Sequence, residues 1–128
     1  MTTKDLGTLI VPGYELGEEI GRGGMGVVYR AREPELGRDV AIKLPHEKLR
    51  SDPQFSSQCL KEARLAAKLR HPSIVTIFDI NEDQGRIGYI VQEFVQGATL
   101  QELISKQKLS IRQSLHIIVK VAEAIQFA

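Results

Sequence analysis

Gly21-Arg22-Gly23-Gly24-Met25-Gly26-Val27-Val28-Tyr29-Arg30-Ala31, followed by Val40-Ala41-Ile42-Lys43-Leu44, is the stretch on which the fold turns. Its Gly-x-Gly-x-x-Gly spacing is compatible with several structures. A Walker-type phosphate loop needs Lys and then Ser or Thr after its last glycine, and here Val27 and Val28 follow Gly26. A dinucleotide-binding turn needs a helix directly after the glycines. The residues that follow are β-branched and aromatic, and the next helix start is far off at Asp52. Two readings remain: a plain hairpin turn, and a hairpin whose glycine-rich tip covers nucleotide phosphates. Glycine suits such a tip because it accepts positive φ and lets backbone approach a ligand closely.

Working outward, Tyr14–Ile20 and Val27–Ala31 read as the two strands of that hairpin. Glu33-Pro34-Glu35-Leu36-Gly37 is a turn, and 38–44 is a third strand. Alternation sends Val40, Ile42 and Leu44 to one face and Ala41 and Lys43 to the other. Ser51-Asp52-Pro53 then starts a helix, with Asp52 as cap and Pro53 at its first position. Phe55, Cys59, Ala63, Ala66 and Leu69 recur along it at helical spacing, and Pro72 ends it. Strands are expected over 74–80 and 88–94, joined by a loop over 81–86. Thr99-Leu100-Gln101-Glu102 and Ser110-Ile111-Arg112-Gln113 both have capping-box form and open two more helices.

The helix from Ser110 to Ala128 is apolar almost all round, a composition suited to the middle of a core. No sequence follows to surround it, so the chain is expected to be a truncated piece and to self-associate through residues 110–128.

The composition excludes several classes. The chain has 128 residues, a hydrophobic fraction of 42%, a charged fraction of 26% and a net charge of +1. These suit one globular domain and give no sign of nucleic acid or an anionic membrane as partner. The single cysteine, Cys59, rules out an intrachain disulfide and fits a reducing, cytoplasmic setting. No signal-peptide pattern opens the chain, and no apolar run is long enough to span a membrane.

Lys43 and Glu62 stand out. Lys43 sits in an otherwise apolar strand, and Glu62 falls on or beside the apolar stripe of the next helix. Each alone reads most simply as a solvated surface charge. Together they suggest an ion pair that would hold the ammonium ready for phosphate oxygens. His46, in a loop after Pro45, and His116, in mid-helix, read as structural, and Asp79 as a surface residue.

The glycine stretch, Val40-Ala41-Ile42-Lys43, Glu62 within Lys61-Glu62-Ala63, His71-Pro72-Ser73-Ile74-Val75, Tyr89 to Val95 and Gly97-Ala98-Thr99-Leu100 occur in one order. From about residue 13 to 128 this order resembles the N-terminal lobe of protein kinases. The Gly-Gly-Met-Gly-Val-Val-Tyr wording is similar to bacterial eukaryotic-like Ser/Thr kinases. The resemblance implies an α+β fold: a five-stranded antiparallel sheet with one regulatory helix, then a hinge and two helices of a truncated C-lobe. It implies a tail over 1–12, an N-lobe and hinge over 13–95, and the start of the C-lobe over 96–128.

It implies roles as well. Gly21, Gly23 and Gly26 would fold over the ATP phosphates, and Lys43 would bind them and pair with Glu62. Val28 and Ala41 would cover the adenine, Ile20 would belong to the same cofactor site, and Glu93 and Val95 would hold the adenine edge through their backbone. Gln92 would stand at the gatekeeper position, a departure from the bulky apolar residue common there. The cofactors would be ATP and Mg2+, and the partner a protein Ser or Thr substrate. The His-Arg-Asp and Asp-Phe-Gly motifs are absent from these 128 residues, so this chain alone is expected to be inactive. A non-catalytic kinase-like lobe acting as a binding or regulatory module is the competing expectation.

Overall fold

The computed structural model of the chain describes residues 11–128, so the tail expected over 1–12 lies mostly outside the described residues. Val11, expected in that tail, instead packs into the core beside Tyr89 and Val91. Five strands follow the alternation of the sequence: β1 (Glu15–Arg22), β2 (Gly26–Glu33), β3 (Arg38–Pro45), β4 (Ile77–Asp83) and β5 (Arg86–Glu93). They form one open antiparallel sheet in the order β1-β2-β3-β5-β4. Four helices accompany them: α1 (Glu47–Ser51), α2 (Pro53–Ala67), α3 (Leu100–Ser105) and α4 (Ile111–Phe127).

β3 behaves as its alternation predicts. Val40 and Ile42 are fully buried with Val91, Ala31 and Tyr89, and Leu44 packs against the same cluster. α2 begins as its sequence signals: Asp52 Oδ1 accepts from Gln54 N and Phe55 N at 3.1 and 3.3 Å, with Pro53 next. It packs on β5 through Leu60 and Ala63 against Ile87. Ser56 is the one fully buried polar side chain of the described residues, and its Oγ accepts from Ile87 N–H at 2.7 Å. That bond satisfies a donor which would otherwise be stranded in an apolar contact. α4 carries the expected capping box. Ser110 Oγ accepts from Gln113 N, and Gln113 Oε1 accepts from Ser110 N.

Four details depart from expectation. α1 is unforeseen, a helix of five residues with one apolar side chain, Leu49, too short to show a period. β4 begins at Ile77 rather than 74, because the backbone turns at His71–Ile74, where Ile74 N donates to His71 O. The expected loop over 81–86 is instead a hairpin with a two-residue turn at Gln84 and Gly85, both at positive φ (53° and 76°). The buried line of α2 runs through Ser56, Leu60 and Ala63 rather than through Phe55, Cys59 and Ala66, and Leu69 lies beyond its end.

Candidate nucleotide-binding face of the sheet

Register alone assembles the candidate site. Val28 of β2 pairs with Lys43 of β3, which pairs in turn with Ile90 of β5. Ala41, two residues before Lys43, pairs with Arg30 on one side and Gln92 on the other. Residues directly opposite in a sheet project to the same face, as do residues two apart in one strand. Val28, Ala41, Lys43, Ile90 and Gln92 therefore share one face, opposite to the buried Val40–Ile42 face.

The glycine segment lies at the rim of this face. β1 runs on through Gly21 to Arg22, and only residues 23–25 turn, closed by Gly23 N donating to Gly26 O at 3.0 Å. None of Gly21, Gly23, Gly24 and Gly26 has positive φ, contrary to the expectation for this tip. Space decides instead. A Cβ on Gly26 would sit 2.2 Å from Leu44 O, so the β2–β3 contact admits no side chain there. A Cβ on Gly23 or Gly24 would meet nothing within 4 Å, which leaves the tip open to a ligand.

Beneath the tip is a cavity of about 250 Å³ lined by Met25, Lys43, Cys59, Glu62, Ile90 and Gln92 among others. Lys43 and Glu62 both line it, but the expected ion pair between them is not formed. No carboxylate of the described residues lies within ion-pair distance of Lys43, and Glu62 Oε1 accepts from Gln58 Nε2 at 3.0 Å. The cause is the rotation of α2. With its buried line on Ser56, Leu60 and Ala63, Glu62 stands about 100° off the packed face. Glu62 is correspondingly exposed, not buried in the packing. Both charges still reach Cys59. Burial raises its thiol pKa, the Glu62 carboxylate raises it further, and the Lys43 ammonium opposes them.

Of the remaining candidates, Val28 and Ala41 lie on this face, Ile20 on the edge strand β1, and Glu93 and Val95 where the chain leaves the sheet. Ile20 is 44% exposed and Val28 half-buried, both able to offer apolar surface to a flat ring. Ala41 is buried. Glu93 ends β5 tied to Thr76 twice: its N–H donates to Thr76 O at 2.8 Å, and its Oε1 accepts from Thr76 N at 3.2 Å. The chain then leaves the sheet, and Val95 is 62% exposed. A larger cavity of about 580 Å³ lies between α1 and the β4–β5 hairpin, lined by Glu47, Arg50, Asp83 and Arg86 among others. It contains none of the residues above, and its mixed charges select no ligand.

Sequence reasoning left Gln58 unmentioned and read His46 as structural only. Gln58 holds Glu62, and its spacing of four residues on one helix was the available signal. His46 reaches the glycine tip, and its position after Pro45, the partner of Gly26, was the signal there.

Comparison with known proteins gives this geometry its family. The protein kinase domain profile matches residues 14–128. The chain belongs to the protein kinase domain family. It is 42% identical over 119 residues to a probable serine/threonine-protein kinase of Streptomyces coelicolor, and 40% identical over 119 residues to the serine/threonine-protein kinase PknB of Mycobacterium leprae. Each alignment covers 90% of this chain but only 18% and 19% of those proteins. Among solved structures, the kinase domain of Mycobacterium tuberculosis PknI superposes with a TM-score of 0.76 at 26% identity, over 91% of this chain and 47% of that one. The five-stranded open sheet and the helices after it thus correspond to a kinase N-lobe and the first helices of its C-lobe.

Proposed function

We propose that this chain is the ATP-binding portion of a serine/threonine protein kinase. The observation that carries the reading is the single sheet face that gathers Val28, Ala41, Lys43 and Gln92 under an open glycine tip. In this reading Gly21, Gly23 and Gly26 let the tip lie over the phosphates, and Lys43 supplies a point charge to their oxygens. Ile20, Val28 and Ala41 bound the adenine, Gln92 closes the back of its pocket, and the Glu93 carbonyl and Val95 N–H meet its edge. Residues 13–95 form the N-lobe and hinge, and 96–128 open the C-lobe.

In the complete enzyme a protein Ser or Thr hydroxyl oxygen would attack the γ-phosphorus. The bond from that phosphorus to the β–γ bridging oxygen would break, and ADP would leave. Bound Mg2+ would neutralise phosphate charge in the complete enzyme. The family's motifs for holding it, and the base that takes the hydroxyl proton, are not among these 128 residues. This chain alone is therefore a binder of nucleotide rather than a catalyst. Among the described residues no helix is long and apolar enough to cross a membrane; the cytoplasmic setting in this reading rests on the single cysteine.

One observation favours the second reading, a non-catalytic kinase-like module: the carboxylate of Glu62 rests on Gln58 and not on Lys43. Calorimetric titration with MgATP tests the first reading. The chain is expected to bind, and Lys43→Ala to weaken binding about tenfold or more, the scale of a lost charged hydrogen bond. Equal affinity in the two proteins would remove Lys43 from the site.

A further inference from the structure

His46 ties the glycine tip to the rest of the molecule by two bonds, beside the pairing of Gly26 with Pro45. Its backbone N–H donates to Met25 O at 3.0 Å, and its ring Nε2 lies 2.8 Å from Gly23 O. A carbonyl only accepts, so Nε2 carries the proton in this contact. His46 is itself a fixed platform. It follows directly on β3, and its carbonyl accepts from Leu49 N and Arg50 N at the start of α1. The tip has little else to order it. Gly23 and Gly24 are exposed, carry no side chain, and have open space where a Cβ would stand. Glycine also has the most conformational freedom to lose.

The direction of these bonds matters for an anion. In a planar trans peptide the C=O and the following N–H point opposite ways. With the carbonyls of Gly23 and Met25 drawn to His46, the N–H groups of Gly24 and Gly26 point away from it. The two carbonyl dipoles that would repel a phosphate are occupied, and amides are turned the other way.

We propose that His46 is a positioning residue for nucleotide phosphates, pinning the glycine tip so that its amides rather than its carbonyls are offered to them. This rests on the nucleotide-binding reading above. The anchor acts on the tip alone, so it affects phosphate-bearing ligands and not the nucleoside.

The test uses the 128-residue chain with His46→Ala and His46→Gln, whose amide can donate from a similar reach. Hydrogen exchange of the amides of residues 23–27 is measured without nucleotide, and the dissociation constants of MgATP and of adenosine are measured separately. In His46→Ala, exchange at the tip is expected to rise and MgATP to weaken, each by about threefold to tenfold, the worth of one net hydrogen bond. Adenosine affinity and exchange in the β4–β5 hairpin stay unchanged, and His46→Gln restores both tip readouts. Unchanged tip exchange in a His46→Ala chain that binds MgATP normally would overturn the anchor and leave the nucleotide site standing. Equal losses for MgATP and adenosine would also overturn it, since that marks general damage. No MgATP binding by the unsubstituted chain would overturn the nucleotide reading, and the phosphate role with it.

Discussion

Lys43 and Glu62 were legible as a pair of unusual charges, because an ammonium in an apolar strand and a carboxylate near an apolar helical stripe both break a pattern. Their separation was not legible. It depends on which way α2 is rotated, and Ser56, a hydroxyl residue, occupies the deepest position on that helix. A pattern that counts serine as polar turns the helix by roughly one residue, about 100°, and carries Glu62 inward. His46 was read as structural and not as part of the site for a related reason: its contact is to backbone, and no side-chain motif announces it. A further residue-scale feature is Asp39. Its carboxylate accepts from Arg30 Nη2 at 2.5 Å and Arg32 Nη1 at 2.9 Å, and Arg30 also stacks over Phe94, 4.4 Å from its ring centre. The hydrogen bond from Arg30, then that from Arg32, holds the Asp39 carboxyl below its ordinary value of 3.8. A carboxyl with a depressed folded pKa stabilises the fold above its unfolded value and ceases to do so as pH falls through the folded one. Thermal unfolding as a function of pH should therefore show a flatter acid limb, at and below the usual carboxylate range, in Asp39→Asn. An unchanged limb would mean that the arginines hold the carboxylate no better than water does.

At the scale of elements, the strands and long helices were legible because their periods of two and 3.6 persist over enough residues. α1 was not, since one turn with a single apolar residue has no period. The tightness of the β4–β5 turn was not legible because Gln84 takes the left-handed conformation that glycine, asparagine or aspartate would have advertised. The attachment of α2 to the sheet has a specific test. Ser56→Ala removes the acceptor of Ile87 N–H and leaves that donor buried and unsatisfied. The expected loss of unfolding free energy is about 1–3 kcal/mol, read as a lower urea midpoint at unchanged slope. A midpoint unmoved by the substitution would show that water or a backbone shift replaces the bond.

For the whole molecule, the kinase-like order of motifs decided the fold, since no single motif did. What the sequence anticipated about α4 bears on its behaviour in solution. Among the described residues, only Ala124 of α4 is buried, while Leu115, Ile118 and Ile125 are 58%, 61% and 70% exposed. Phe127 of α4 lies against His71, with ring centroids 5.1 Å apart. An apolar face of this kind drives association. Light scattering of the chain is expected to give a mass above 14.3 kDa that falls with dilution, and Ile118→Glu with Ile125→Glu to return it to the monomer value. A monodisperse monomer at all concentrations would contradict this.

The account's central claim is that one face of the sheet, beneath the glycine tip, receives ATP. The most direct measurement is a map of amide chemical-shift changes when MgATP is titrated into the labelled chain. The claim predicts that the largest shifts fall on residues 20–28, 41–43 and 92–95, with the β4–β5 turn and α1 flank of the larger cavity little changed. Shifts concentrated around Arg50, Asp83 and Arg86, or the absence of any saturable shift, would contradict it.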